Sequence, residues 1–178
     1  MGKISLNDMV MFAVAKTILA CPDLNANMVE DNVIRHFNHV NLGFACDTPR
    51  GLLVPTIFHA DEMSLLELSM EAKRLAAAAR DGSLSPDEMT GATFTVTNIG
   101  SFGCEAFTPV VNPPQIGILG VCNIQTKIKS TKDGMIETYP AMGLSLTFDH
   151  RAIDGAPAAR YMSELCKSLE GFMTLMAK

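Results

Sequence analysis

The segment LSLTFDHRAIDGAPAARYM, residues 144–162, sets His150 at the end of an alternating strand pattern, and Asp154 follows four residues later where a helical pattern begins. A strand-to-helix turn can hold an imidazole rigidly at the surface of a cleft. Its near-neutral titration then suits it to take a proton from a thiol or a hydroxyl. Three readings of His150 are open on the residues alone: a general base, a hydrogen-bonded structural histidine, or a metal ligand paired with Asp154. The last has little to draw on, because no further ligands stand at diagnostic spacing, and no metal is expected. Asp154 reads either as a helix N-cap or as an ion-pair partner for the histidine. The thiols follow another pattern. Cys21, Cys46, Cys104, Cys122 and Cys166 are odd in number, stand at least 18 residues apart and form no CxxC pair. That spacing fits reduced structural cysteines rather than a disulfide or zinc framework.

The chain that must position these groups has 178 residues, 48% of them hydrophobic, which is enough for one well-buried domain, and no composition shift marks a second. A single domain spanning residues 1–178 is expected. The net charge of −5, with no lysine or arginine run, argues against nucleic acid as a partner. Asp8, Lys16, Glu67 and Glu71 interrupt the most apolar stretches, so none provides the roughly 18 uncharged residues of a membrane span. The start does not look like a signal peptide, and a cytoplasmic location is expected.

Ser5 followed by Asp8, with apolar residues at helical spacing from Leu6 to Ile18, predicts a capped helix ending before Cys21-Pro22. Two short runs, Met28 to Val29 and Ile34 to Phe37, predict a hairpin that turns at Glu30, Asp31 and Asn32. Val40, Leu42, Phe44 and Cys46 alternate, the chain turns at Asp47 to Gly51, and an apolar run resumes from Leu52 to Ile57, which predicts a second and stronger strand pair. Ser64 with Glu67 opens a helix that Asp81-Gly82 ends. TFTVTN places Phe94 and Val96 on a buried side and Thr93, Thr95 and Thr97 on the other, with Thr97 at the strand exit. QIGILGV reads as an interior strand, Asp133-Gly134 as a hairpin turn, and Leu144, Leu146 and Phe148 as the core side of the last strand. Asp154 then caps a helix with an apolar stripe of Ala158, Met162, Leu165, Cys166, Leu169, Phe172 and Met173. The mixture of strands, hairpins and helices predicts an α/β or α+β fold, a sheet with helices packed on it.

At FDHRAIDG the residues resemble the signature of the acyltransferase (E2) catalytic domains of the 2-oxo acid dehydrogenase complexes. Three more blocks match in order: HVNLGFACDTPRGLLVP, LSPDEMTGATFTVTNIGSFG and FTPVVNPPQIGILGV. The resemblance covers essentially the whole chain. It implies an α/β fold like chloramphenicol acetyltransferase, a two-layer sandwich of mixed sheet and helices, with trimers as building blocks and active sites at subunit interfaces. Further packing of trimers into a cage is compatible with it. It also implies coenzyme A and lipoamide as substrates, and a lipoyl domain and the other subunits of such a complex as partners.

Carried over by position, the resemblance makes His150 the base that deprotonates the coenzyme A or dihydrolipoyl thiol. Thr97 becomes a hydroxyl, supplied by the neighbouring subunit, that hydrogen-bonds the tetrahedral oxyanion. Asp154 matches an aspartate held in an ion pair near the histidine, while Asp47, Asn98 and Ser101 match positions that contact coenzyme A. The family pattern begins with a strand and helix ahead of KISLNDMVMFAVAK, and here the chain opens directly on that helix, so it reads as an N-terminally short form. No lipoyl-lysine motif or alanine- and proline-rich linker occurs. Two other readings stand beside the acyltransferase: a non-catalytic core protein that keeps the fold, and a chloramphenicol-type O-acyltransferase acting on a small molecule. TNIGSFG and NPPQIGILGV favour the complex-forming enzymes over the latter. The acyl group, whether acetyl, succinyl or branched, is not readable from these residues.

Overall fold

The computed structural model describes residues 3–30 and 33–177. The predicted cap sets the first helix: the Ser5 hydroxyl accepts the Asp8 N–H, and the Asp8 carboxylate accepts the Ser5 N–H, opening α1 (Leu6–Thr17). A short 3-10 turn, Ile18–Ala20, ends this element ahead of Cys21-Pro22. Helix α1 lies between α2 (Leu65–Asp81) and α3 (Gly155–Glu170), so six consecutive residues, Val10 to Ala15, are buried rather than a single stripe. The reciprocal Ser64–Glu67 cap starts α2, and Gly82 closes it in the left-handed conformation at φ 85°.

The helices share one core with a five-stranded mixed sheet. Its order is β6 (Thr56–Ile57), β3 (Leu42–Phe44), β7 (Phe94–Asn98), β8 (Gly117–Ser130), β9 (Ile136–Phe148). Strands β3, β7 and β8 run parallel, and the two edge strands run antiparallel to their neighbours. Phe94 of β7 meets Tyr161 of α3 edge-on at 6.5 Å, joining sheet to helix layer. This is the expected mixed sheet with helices packed on it. Among the described residues no helix is long and apolar enough to cross a membrane.

The predicted exposed face of β7 is a correction. Thr93 and Thr95 are as buried as Phe94 and Val96. As the central strand, β7 is covered on both sides. The two hydroxyls are satisfied internally, Thr93 donating to Asn25 Oδ1 and Thr95 to Gln115 Oε1, each at 2.6 Å. Only Thr97, one pleat further on, keeps partial exposure.

The predicted strand pair between Val40 and Ile57 also breaks in two. Strands β3 and β6 join the main sheet, while β4 (Cys46–Thr48) and β5 (Gly51–Leu53) form a separate hairpin. Pro55 lacks an N–H and serves only as acceptor for Phe44, while Ala45 turns its N–H to Val96 of β7, so the pairing changes partner at that point. The first hairpin is present as β1 (Ala26–Glu30) and β2 (Val33–His36), although its turn residues Asp31 and Asn32 lie outside the described residues. Strands β8 and β9 form the long hairpin predicted to turn at Asp133-Gly134. Its inner half is packed on the core, and its outer half exposes Ile128, Met135 and Ile136.

The buried stripe of α3 is narrower than predicted: Ala158, Tyr161 and Leu165 are buried, while Cys166 is exposed. After Gly171 the chain restarts as α4 (Phe172–Met176), which returns Phe172 to the core against Phe12 at 5.9 Å and turns Met173 outward.

Candidate active site

The residues around His150 form a pinned turn. Where β9 ends, the Asp149 N–H reaches Ile116 O, and Asp149 O accepts the N–H groups of Ala152 and Ile153. The Asp149 carboxylate takes the Arg151 guanidinium through Nε and Nη2 at 2.7–3.2 Å and also accepts the Arg151 backbone N–H at 3.0 Å. The guanidinium and that N–H together hold the Asp149 carboxyl below the usual carboxylate range. His150 stands between these two locked neighbours, with its ring 5.8 Å from that of Phe148 and its side chain 71% exposed.

Asp154 is at the N-cap position of α3, but its side chain does not cap the helix, which corrects one of the two readings of this residue. The carboxylate points instead to His150, with Oδ1 3.7 Å from Nδ1. That is an ion-pair distance rather than a hydrogen bond, and both partners face solvent, so the attraction is modest. The contact lies on Nδ1 rather than on Nε2.

Thr97 is at the far end of the same sheet. It pairs with Gly120 of β8, which pairs with Ser145 of β9, five residues before His150. Two strand spacings of about 4.8 Å and several residues at about 3.3 Å put Thr97 and His150 on the order of 15–20 Å apart within one chain. Antiparallel β9 carries His150 away from the end at which parallel β7 delivers Thr97. Among the described residues the Thr97 hydroxyl has no hydrogen-bond partner.

The three remaining predicted positions do come together. Asp47, Asn98 and Ser101 line one cleft of about 610 Å³ beside the Thr97 end of β7. Asn98 is locked in place, its Nδ2 donating to Asn7 Oδ1 at 2.8 Å while its Oδ1 accepts the Gly100 N–H at 2.9 Å. Gly100 starts the turn that carries Ser101. A Cβ there would come within 2.5 Å of the Cys122 carbonyl oxygen, so only glycine lets the loop lie this close to β8. The cleft also contains Asn7, Lys73 and Arg80, which the sequence motifs did not single out. Lys73 donates to Ser69 Oγ at 2.8 Å and lies 3.6 Å from the buried Asp8 carboxylate. These residues occupy polar positions on α1 and α2, where nothing in the sequence sets them apart from ordinary solvent-facing side chains.

The chain belongs to the family described as 2-oxoacid dehydrogenases acyltransferase (catalytic domain), which matches residues 1–177. It is 44% identical to the dihydrolipoyllysine-residue acetyltransferase component of the pyruvate dehydrogenase complex of Staphylococcus aureus, over 94% of this chain and 39% of that protein. It thus spans about two-fifths of the length of the curated relatives it matches. Among solved structures it is similar to the dihydrolipoamide acetyltransferase of Azotobacter vinelandii, with a TM-score of 0.89 and 39% identity over 94% of this chain and 69% of that one. The cubic core of the pyruvate dehydrogenase multienzyme complex superposes equally well, at 38% identity with the same coverage. A chloramphenicol acetyltransferase shares the fold, with a TM-score of 0.60 at 12% identity over 93% of this chain and 78% of that one.

Proposed function

We propose that this chain transfers an acyl group between dihydrolipoamide and coenzyme A, at a site that two subunits complete together. His150 Nε2 takes the proton from the attacking thiol, and the thiolate adds to the thioester carbonyl. Thr97 of a neighbouring subunit donates its hydroxyl to the oxyanion of the tetrahedral intermediate. Collapse of that intermediate expels the second thiolate, which recovers the proton from His150, so charge and atoms balance.

The observation that carries this reading is the sheet register. A base and an oxyanion donor on the order of 15–20 Å apart in one chain cannot serve one carbonyl, but a trimer can bring one subunit's His150 to the next subunit's Thr97. The exposed apolar side chains Ile128, Met135 and Ile136 on the β8–β9 arm, and Met173 and Met176 at the chain's end, supply surface for such contacts. Homology to the cubic core of a multienzyme complex supports trimers that pack further into a cage.

The cleft holding Asp47, Asn98 and Ser101 suits the polar pantetheine and nucleotide portions of coenzyme A, and Lys73 and Arg80 bring positive charge for its phosphates. A lipoyl domain presents the second substrate, and an acetyl group is the first acyl to test, because the Staphylococcus aureus relative is an acetyltransferase component.

The test is acyl transfer from acetyl-, succinyl- and branched-chain acyl-CoAs to free dihydrolipoamide, with light scattering on the same samples. Transfer by trimers supports the proposal. Stable trimers with no transfer from any donor support the non-catalytic core protein, and transfer only to a hydroxyl acceptor supports the small-molecule O-acyltransferase.

A further inference from the structure

Away from the cleft and from His150, two segments meet beside the β3–β6 edge. His39 precedes β3, and His59, Asp61 and Glu62 follow β6; antiparallel pairing of Leu42 with Ile57 and of Gly43 with Thr56 draws the two segments together. The two imidazoles lie 4.7 Å apart, centroid to centroid. Glu62 reaches both rings, with Oε1 3.5 Å from His39 Nδ1 and Oε2 3.9 Å from His59 Nδ1. Donor atoms of all three residues fall within 4.8 Å of one another, and this is the one such group of three or more among the described residues.

The framework holding them is built. His59 has φ 52°, a left-handed backbone uncommon for a residue with a side chain, and its N–H is held by Asn41 Oδ1 at 3.1 Å. The carbonyl of His39 accepts from the fully buried Asn25 amide at 3.1 Å. Asp61, with its side chain only 10% exposed, gives one oxygen to the Val40 N–H at 2.7 Å and sets the other 3.3 Å from His39 Nδ1.

We propose that His39, His59 and Glu62 form a binding site for a single divalent transition metal ion of the zinc class, with Asp61 holding the adjoining Val40 backbone. Tetrahedral zinc bonds of about 2.0–2.2 Å require donor separations of about 3.4 Å; the two Glu62 oxygens lie 3.5 and 3.9 Å from the two ring nitrogens, and one donor atom from each residue falls within 4.8 Å of the others. Two nitrogens and a carboxylate oxygen form a donor set that zinc accepts. The fourth position is open toward a groove of about 670 Å³ lined by His59, Glu62, Met63 and Met70, and water completes the coordination there. Bound metal ties the entry to β3 to the exit of β6 and so braces the sheet edge.

Tag-free, full-length protein is titrated with Co(II) as a spectroscopic substitute and with Zn(II) by calorimetry. The expected result is one saturable site per chain with tetrahedral visible bands and no thiolate charge-transfer band. His39→Ala and His59→Ala should each weaken binding at least about 10-fold. His36→Ala, which removes an exposed histidine paired with Asp23 at 3.0 Å, should leave binding unchanged. Both ligand histidines are about half exposed, so their variants should keep the wild-type circular dichroism. Absence of saturable binding, binding that survives the His39→Ala and His59→Ala changes, or a thiolate band that disappears on alkylation of the cysteines would each overturn the proposal.

Discussion

The cleft at the Thr97 end of the sheet and the turn at the His150 end are built in opposite ways. In the cleft, Asn98 is held by two hydrogen bonds, Gly100 lets its loop lie against β8, and side chains from α1, α2, β4 and β7 all point at one volume within a single chain. At the other end the backbone around His150 is pinned by Asp149 and Arg151, but among the described residues the imidazole itself meets only Phe148 and the exposed Asp154. The binding half of the proposed site is therefore finished within a subunit, whereas the reacting half is held ready for groups from elsewhere. A buried general base with its own oxyanion donor would have marked a monomeric enzyme.

Removing the base puts the greatest strain on this division between the two ends. His150→Ala should abolish acyl transfer while melting temperature and oligomeric state stay at wild-type values, because the side chain is largely exposed. Comparable turnover would remove His150 from the mechanism. Mixing His150→Ala chains with Thr97→Ala chains should then restore part of the activity if the two halves come from different subunits. Verified mixed trimers with no rescue would sink the shared site.

Next in size, Thr97→Ala should lower kcat by about 10²-fold with KM nearly constant, and Thr97→Ser should be almost silent, since only the hydroxyl acts on charge that develops in the transition state. A rise in KM instead would assign Thr97 to the cleft, and so to binding. Asp154→Asn should cost no more than about 5-fold in kcat, because an exposed ion pair contributes about 0–1 kcal/mol. A loss as large as that from Thr97→Ala would mean that a neighbouring subunit buries this pair.

The smallest effect concerns acid. The folded-state carboxyl of Asp149 titrates below its unfolded value, so its contribution is present above the unfolded value of about 3.9 and is lost as pH falls through the lower folded value. The Arg151 Nε resonance should therefore keep its bonded position from pH 8 down to about 5 and move only in stronger acid. Movement nearer neutrality would show that the turn is not locked by this carboxylate.

What could be read in the chain itself was local. Ser5 with Asp8, Ser64 with Glu67 and Gly82 after α2 mark helix ends because a cap is made by residues three apart or by one backbone angle. The His150 turn and the Asp133-Gly134 hairpin were legible for the same reason, as was the family, which four ordered blocks carried. Burial of Thr93 and Thr95 was not legible, because it depends on β7 lying in the middle of the sheet and on Asn25 and Gln115 arriving from distant segments. The break at Ala45 was not legible either, because its N–H goes to Val96 O of β7, a strand some 50 residues further along the chain.

Lys73 and Arg80 in the cleft, and the pairing of His39 with His59 across 20 residues of sequence, likewise emerge only once helices and strands are laid side by side. The order of residues is enough to tell which groups are available for chemistry and where most elements start. Which of those groups meet is settled in three dimensions, since strand register and helix packing set distances that no spacing along the chain contains.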